Sequence, residues 1–575
     1  MQWRILAKKP LAGKSKKSIA SPRKNKQGQT MHEDISTNNK NSLRFGILLN
    51  AGGLVRWQVR CLELLIQAGH QPVVAIINNE QAIPKSRLAK LKNYPWSKLF
   101  YRFHQRYFFR PPAKNTEEYP GLKNLKKVYC TPSRKGFSEY IDEATLDEIR
   151  ASKADFLIRF GFNILRGEVL NVCKYGIWSF HHDDEQRYRG GPPGFWEIMK
   201  NDRVNAVILQ RLTEKLDAGI ILQKAYFGSI MHSWEACLDR TLMEAAHLPA
   251  KTANAIANGT MNQESIKPAT TSAPIYKTPG NFAMIRFMLR IFRNKIIFHF
   301  RELFRAEQWN VGVIMASPEQ ILKNPEAHQP VWMPAPPRKA FYADPFILNQ
   351  GQDTKVFFEH YFYKTHLGNI SQRGFDPAKG FNTSIDNLLI KNYHLAYPFV
   401  FNYQNNIYLI PESADNHSID LYRYHPESSS VTFLQSLLAD IDAVDTTLLV
   451  YNELFWLCFT RKTLSDTHLY LYFSKDLCGE YKPHLQNPVK SDVRSSRPGG
   501  TPFILDGKLI RPAQDCSRTY GGAVVFNEII RLSPKDFEEV QIGRLEPFAN
   551  SYYKRGLHTF ASQGNRVAVD GKQYI

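Results

Sequence analysis

LRFGILLNAGGLVRWQVRCLELLIQAGHQPVVAIIN, residues 43–78, decides how the N-terminal half folds. The apolar run at 43–50 is strand-length, and Gly52-Gly53 then turns the chain. Val55, Val59, Leu62, Leu65 and Ile66 recur at steps of three and four, which predicts a helix closing at Gly69, where a left-handed cap favours a residue without Cβ. PVVAIIN at 72–78 is apolar throughout and reads as a buried parallel strand. A strand, a helix and a parallel strand wind with one hand, so the unit predicts a doubly wound α/β sheet whose ligand sits at the carboxyl ends of its strands. The glycines do not spell GxGxxG and the second strand has no acidic end, so a dinucleotide site is not expected.

The pattern continues with ADFLIRFGF as a strand, ILRGEVLNVC as a short helix and YGIWSFHH as a strand. VNAVILQRL and ILQKAYF read as strands bracketing Asp217, and WEACLDRTLMEAAHLPAKTANAIANG reads as one closing helix. This predicts an α/β domain over 43–260. Ahead of it, residues 1–30 carry nine Lys and Arg and no acid, so 1–42 is expected to be a disordered basic tail. Much of the formal charge of +22 sits there, and no sequence-specific nucleic-acid partner is expected. With 43% hydrophobic and 13% aromatic residues in 575, the rest has the makings of two or three folded domains.

Two basic aromatic stretches stand out. WSKLFYRFHQRYFFRPPAK reads either as packed helices with a solvated face or as a contact with an anionic lipid or glycan surface. After a Thr/Ser/Pro/Ala linker, MIRFMLRIFRNKIIFHFRELF has helical periodicity, and 261–308 is expected to hold that linker and a basic amphipathic helix. Docking between domains and lying on an anionic membrane surface both remain open for it. No apolar stretch of about 18 residues and no signal-peptide core is found. The seven cysteines are scattered without a CxxC pair, so neither disulfides nor a metal site is expected. A cytoplasmic protein, with peripheral contact to the inner face of the membrane left open, is the expectation.

The second half changes period. ADPFIL at Asp344, YPFVF at Tyr397, VDTTLLV at Asp445, GTPFIL at Gly500 and LHTFA at Leu557 recur about every 50–57 residues, each followed by a polar turn and a second strand. A self-similar unit of that length in an all-β context predicts propeller blades, five of them, over 309–575.

GIWSFHHDDEQRYRGGPPGFWEI (176–198) followed by KLDAGIIL (215–222) resembles the folate-dependent formyltransferase superfamily over residues 43–260. That family has a strand ending in Asn-x-His, an Arg-Gly loop before proline, and a Leu-Asp-x-Gly turn. The resemblance implies that His181 and Asp217 are catalytic, with Ser179 at the position of the family asparagine. It implies 10-formyltetrahydrofolate as co-substrate, gripped near Gly161, Phe162 and Ile164. Where relatives carry an apolar loop, His182, Asp183 and Asp184 stand here, and with Arg189 they are expected to meet the substrate. The chemistry fits: amine attack on a formyl carbon builds charge on oxygen, which aligned donors stabilise, while an imidazole moves the proton.

YHLAYPFVF, IYLIPESADNHSIDLYR, DAVDTTLLV and RPAQDCSRTYGGAVVFNEI resemble the N-terminal domain of glucosamine inositol phosphorylceramide transferases, which looks like the propeller of arabinanase-like glycosidases. Asp344, Glu412, Asp445 and Asp515 are the funnel candidates this implies, since glycosidic chemistry needs paired carboxylates. Backbone capping by such aspartates is the structural alternative. Together the halves predict an N-formyltransferase acting on an amino sugar in surface glycan or glycolipid synthesis, with a carbohydrate-binding propeller. A silent glycan-binding scaffold and a glycosidase or glycosyltransferase in the C-terminal half are the alternatives.

Overall fold

The computed structural model describes residues 42–79, 95–214, 219–261, 271–350 and 353–575. The basic tail, apart from its last residue, and Asp217 lie outside those residues.

The opening unit is β1 (Arg44–Asn50), α1 (Arg56–Gln67) and β2 (Gln71–Asn78), with β1 and β2 parallel. Helix α1 turns Val59, Leu62 and Leu65 inward with Trp57 and Leu64, each burial being worth about 1.5–3 kcal/mol, and leaves Ile66 outside. Gly69, just past its end, takes φ +89°, as a left-handed cap requires. Beyond β2 come β3 (Lys126–Cys130), β4 (Phe156–Arg159), β5 (Ile177–His181), β6 (Val204–Arg211) and β7 (Ile220–Gly228). They form a seven-stranded sheet in the order β7-β6-β5-β4-β1-β2-β3, parallel except where β6 pairs with β5 and β7. The chain leaves β1 for β2 on one side and returns to β4 on the other. The crevice between their carboxyl ends is therefore the switch point where such sheets bind ligands.

Three local expectations change. ILRGEVLNVC is a short strand, Ile164–Arg166, and a 3-10 turn, Glu168–Asn171, because Gly167 at φ +81° breaks the run. The closing helix splits into α3 (Trp234–Glu244) and α4 (Leu248–Ala257), since Pro249 has no N–H to continue the ladder. In the first aromatic stretch the described helix is α2 (Leu99–Tyr107), preceded by one 3-10 turn. The linker leads to α5 (Asn281–Phe304), which buries Met284 and Phe287, the latter stacked on Phe195 at 4.2 Å.

From Glu307 onward the chain is β-rich, and its described residues form five separate antiparallel sheets. One joins the two ends of this half: β8 (Glu307–Ile314) pairs along its whole length with Arg566–Tyr574. The other four are local meanders beginning at Ala340–Gln350, Ala396–Tyr403, Ala443–Tyr451 and Phe503–Leu505. The recurring motif has a structural cause. In three of those opening strands the register slips, between Ala343 and Phe346, Ala396 and Phe399, and Val444 and Thr447. Inside each bulge a residue other than glycine takes positive φ: Asp344 (51°), Tyr397 (44°) and Asp445 (53°). A bulge re-aims the side chain it carries, which is how these residues leave the pleat. In the fourth motif Gly500 (φ +129°) precedes the opening strand and lets two backbones meet: a Cβ there would lie 2.0 Å from the Phe560 carbonyl oxygen.

The halves pack directly. The Val493 N–H donates to the Tyr226 carbonyl (3.0 Å), Arg494 lies over the Tyr226 ring at 3.8 Å, and the Lys251 ammonium donates to the Val489 carbonyl (3.0 Å).

Candidate active site

Two clefts meet at the switch point, with Phe162 in both walls. The larger, about 410 Å³, is lined by Asn50, Ala51, Gly52, Asn78, Arg134, Phe162 and Asn163. Its far wall is built tightly. Gly161 passes so close to the end of β1 that a Cβ would come within 2.5 Å of the Asn50 nitrogen. Phe162 holds φ 66°, and its N–H donates to the Asn50 side-chain oxygen at 3.0 Å. Fully buried Glu139 accepts from the Asn163 N–H (2.7 Å) and side-chain amide (2.8 Å), and binds Arg134 at 2.7 Å. Ile164 begins the short strand beyond, paired with Ser138. Positive φ outside glycine costs about 1–3 kcal/mol and persists where neighbours enforce it, as these carboxylate and amide contacts do.

The smaller cleft, about 180 Å³, is lined by Trp57, Arg159, Phe160, Gly161, Phe162, Ser179, Phe180 and His182. Ser179 is 1% exposed, and its hydroxyl accepts from Arg159 Nε (3.0 Å) and Nη2 (2.9 Å). Arg159 Nη1 donates to the carbonyls of Phe162 (3.2 Å) and Asn163 (2.7 Å). Four of the five guanidinium hydrogens thus tie the end of β5 to the loop after β4. Burial pulls the Arg159 pKa below its usual value, and Glu139 opposes that. Arginine, rather than an amide, stands beside the position of the family asparagine, and the sequence did carry a signal for it: one charged residue inside the apolar run FLIRF.

His181 ends β5, half-buried, with Nε2 3.5 Å from the Tyr188 carbonyl. β6 stops at Arg211 and β7 starts at Ile220, and Asp217 lies outside the described residues. The loop after His181 is placed residue by residue. His182 is wedged edge-on against Trp57 (5.2 Å), and burial together with neighbouring His181 drives its pKa down to about 3, so the ring is neutral. Asp183 is buried against Glu197, and desolvation raises both carboxyls. Asp184 is paired with Lys224 at 2.7 Å. Arg189 lies in a two-residue ladder with Ile275 and donates to the Ala273 carbonyl at 3.4 Å.

A second polar centre lies in the C-terminal half. The Asp344 N–H donates to Asp570 (3.2 Å) and the Asp445 N–H to Glu412 (3.2 Å), so these two left-handed residues are each capped by a carboxylate from the preceding sheet. His558 bridges Asp344 (2.9 Å) and Asp570 (2.7 Å), and these two carboxylates raise its pKa to about 10. Asp344, His558 and Asp570 are close enough to share a cation; as an imidazolium between two carboxylates, His558 already supplies the positive charge. Asp445 accepts from Arg497 Nε (2.6 Å) and from the Gln514 amide (2.7 Å). Burial pushes Glu359 and Glu412 well up, and neighbouring Asp344 and Asp445 add to it. Asp344 is instead held low: His558 and Arg497 outweigh the burial that would raise it. Asp344, Glu412 and Asp445 thus come together. Asp515 points elsewhere, ion-paired with Arg544, and its neighbour Gln514 faces the centre. His558, Asp570, Arg497 and Glu359 were not singled out from sequence; His558 stands inside the fifth motif, LHTFA, but nothing local pairs it with Asp344.

Residues 329–563 match the family model described as glucosamine inositolphosphorylceramide transferase 1, N-terminal. The protein of that name from Oryza sativa subsp. japonica is 35% identical over 209 residues, covering 35% of this chain and 28% of that protein. The methionyl-tRNA formyltransferase of Agathobacter rectalis is 25% identical over 232 residues, covering 40% of this chain and 66% of that protein. The chain therefore spans about a quarter of the plant relative and just under two thirds of the bacterial one. Among solved structures, glycinamide ribonucleotide transformylase 1 from Symbiobacterium toebii matches at 15% identity and a TM-score of 0.29, over 40% of this chain and 96% of that one. The N-terminal region is formyltransferase-like, and the C-terminal region is β-rich with glucosamine inositolphosphorylceramide transferase similarity.

Proposed function

We propose that the protein is a folate-dependent N-formyltransferase that moves a formyl group from 10-formyltetrahydrofolate to the amino group of an amino sugar. In this reading the five C-terminal sheets are the blades of a propeller that binds the carbohydrate, and the domains run over 43–260 and 309–575. The observation that carries it is the crevice at the switch point, where a cavity walled by Asn50, Phe162 and Asn163 adjoins the strand end bearing Ser179 and His181. The plant relatives are named for glucosamine and an inositol-containing ceramide, which supports an amino-sugar glycolipid as the acceptor class.

The cavity residues fit the donor. A cleft of about 410 Å³ suits a fused heterocycle, the Asn50, Asn78 and Asn163 side chains and the backbone around Phe162 would read its edges, and Arg134 would meet an acidic tail. When bound, the donor supplies a formyl group open to attack by an amine. This chain's residues supply the rest. Arg159, anchored on Ser179, brings a permanent positive charge to the place of the missing amide, where a donor to a developing oxyanion is worth about 2.7–4 kcal/mol. His181 would take the proton that the attacking amine must lose and return it to the folate nitrogen as its bond to the formyl carbon breaks, with Asp217 orienting the imidazole. Purified chain given labelled 10-formyltetrahydrofolate and amino sugars, free and nucleotide-linked, should transfer label, and His181→Ala or Asp217→Asn should abolish it. No transfer to any acceptor, together with no folate binding by calorimetry, refutes the reading.

One observation favours a second reading, glycosidic chemistry in the C-terminal half: Asp344 is held below the usual carboxylate range while burial pushes neighbouring Glu359 and Glu412 well above it. Carboxyls pushed apart in this way make a base and an acid. Release of reducing ends from oligosaccharides, lost in Asp344→Asn, would establish it; no release would exclude it.

A further inference from the structure

Helix α5 carries two apolar faces, and only one is used. Met284 and Phe287 bury one face against the α/β domain, where the Asn294 amide also donates to the Met231 carbonyl at 2.8 Å. On the opposite side Phe282, Leu289, Phe292, Ile296, Phe300 and Leu303 follow helical spacing as one stripe, each 53–79% exposed. Over 24 residues that stripe runs about 36 Å. Arg286, Arg290 and Arg293 line its flank, and Glu302 is the one acid in the helix.

Helix α2 extends the surface. The Phe100 N–H donates to the Asn281 side-chain oxygen (3.1 Å), and the Asn281 amide donates to the Trp96 carbonyl (2.8 Å), so the start of α5 is tied to α2. Phe103 and Tyr107 form a second exposed apolar line beside Arg102 and Arg106. Scattered exposed apolar residues are ordinary; two adjacent helices that both turn rings and aliphatic side chains outward between arginines are not.

We infer that the α2–α5 face is a docking surface for an anionic lipid bilayer, on which both helices lie in the interfacial plane. Charge complementarity selects this occupant. A second copy would set one arginine-flanked stripe against another with almost no acid to pair them. A bilayer bearing anionic headgroups offers the apolar layer and the opposite charge together. Among the described residues no helix is long and apolar enough to cross a membrane, so the surface is peripheral. The inference is independent of the reaction assigned to the switch-point crevice.

The test uses the full chain in flotation with phosphatidylcholine vesicles, with and without phosphatidylglycerol. Binding is expected to the anionic vesicles and to weaken as salt is raised. Leu289→Ser/Phe292→Ser/Ile296→Ser should lower the partition coefficient by more than about a hundred-fold. Arg286→Gln/Arg290→Gln/Arg293→Gln should lower it by more than about ten-fold, on anionic vesicles only. Five of the six positions are exposed and Arg290 is half-buried at the edge of the stripe, and unchanged thermal melts check that the fold is intact. The N-terminal basic residues are identical in every variant, so binding that persists in the serine triple assigns attachment to another segment and overturns the inference. Absence of binding by the unaltered chain overturns it as well. So does a wild-type dimer in sedimentation velocity that the serine triple converts to monomer without any vesicle binding.

Discussion

Replacing His558 with Asn tests whether the C-terminal half is held at its centre by charge. The imidazole sits 2.9 Å from Asp344 and 2.7 Å from Asp570, all three side chains being buried, and its pKa is raised from 6.5 to about 10. At about 1.4 kcal/mol per pH unit, that separation corresponds to about 5 kcal/mol of stability. The group gains its proton more readily in the folded chain, so the contribution is complete below pH 6.5, falls between 6.5 and 10, and is gone above about 10. Counted from the carboxylates instead, the variant strands Asp344 and Asp570 in the interior at neutral pH, a loss of about 3–5 kcal/mol for the same interaction. Urea unfolding followed by tryptophan emission suits the measurement, because Trp309 lies 4.1 Å from the His558 ring. The expected result is a wild-type stability that declines from pH 7 to pH 9.5, and a His558→Asn variant that is destabilised at pH 7 with a shallower decline. Equal slopes, or a wild type that gains stability over that range, would refute the reasoning.

Arg159→Met should leave the sheet folded but reduce formyl transfer by about a hundred-fold or more, measured as kcat with saturating donor. Arg511→Met should cost about 3–5 kcal/mol in urea titrations, since it strands Glu539, which Arg511 and Lys490 hold down to about 2. The stability linked to Glu539 is present above pH 4.5 and lost as pH falls toward 2, so acid should erode the difference between wild type and variant. Gly500→Ala should lower the melting temperature sharply, because its Cβ would collide with the Phe560 carbonyl oxygen at 2.0 Å.

The sequence made the α/β half legible where one residue type had one structural option. The apolar runs at 43–50 and 72–78 could only be buried strands, and Gly69 could only end a helix. It was less legible where tertiary contacts decide. Gly167 and Pro249 broke elements whose periodicity looked continuous. The motif spacing in the second half was legible because a bulged opening strand recurs with it at Asp344, Tyr397 and Asp445. The partners of those motifs were hidden: His558 stands within the fifth repeat but acts on Asp344, 214 residues earlier, and no local pattern links the two. Alternation along Lys508–Asp515 does put Gln514 and Asp515 on opposite faces, yet which face is inward follows from Asp445 on another sheet. Ser179 was visible as a substitution and Arg159 as the lone charge in an apolar run, but that the one grips the other depends on two strands lying side by side.

The pairing of Glu307–Ile314 with Arg566–Tyr574 has a consequence for biosynthesis. As the ribosome delivers the chain, the earlier strand emerges more than 250 residues before the one that covers it. Until then the edge that will receive it is unpaired beside nascent β-rich neighbours, a state prone to pairing with the wrong chain. Expression yield should therefore depend on elongation rate and on chaperone supply more than on the stability of the finished molecule.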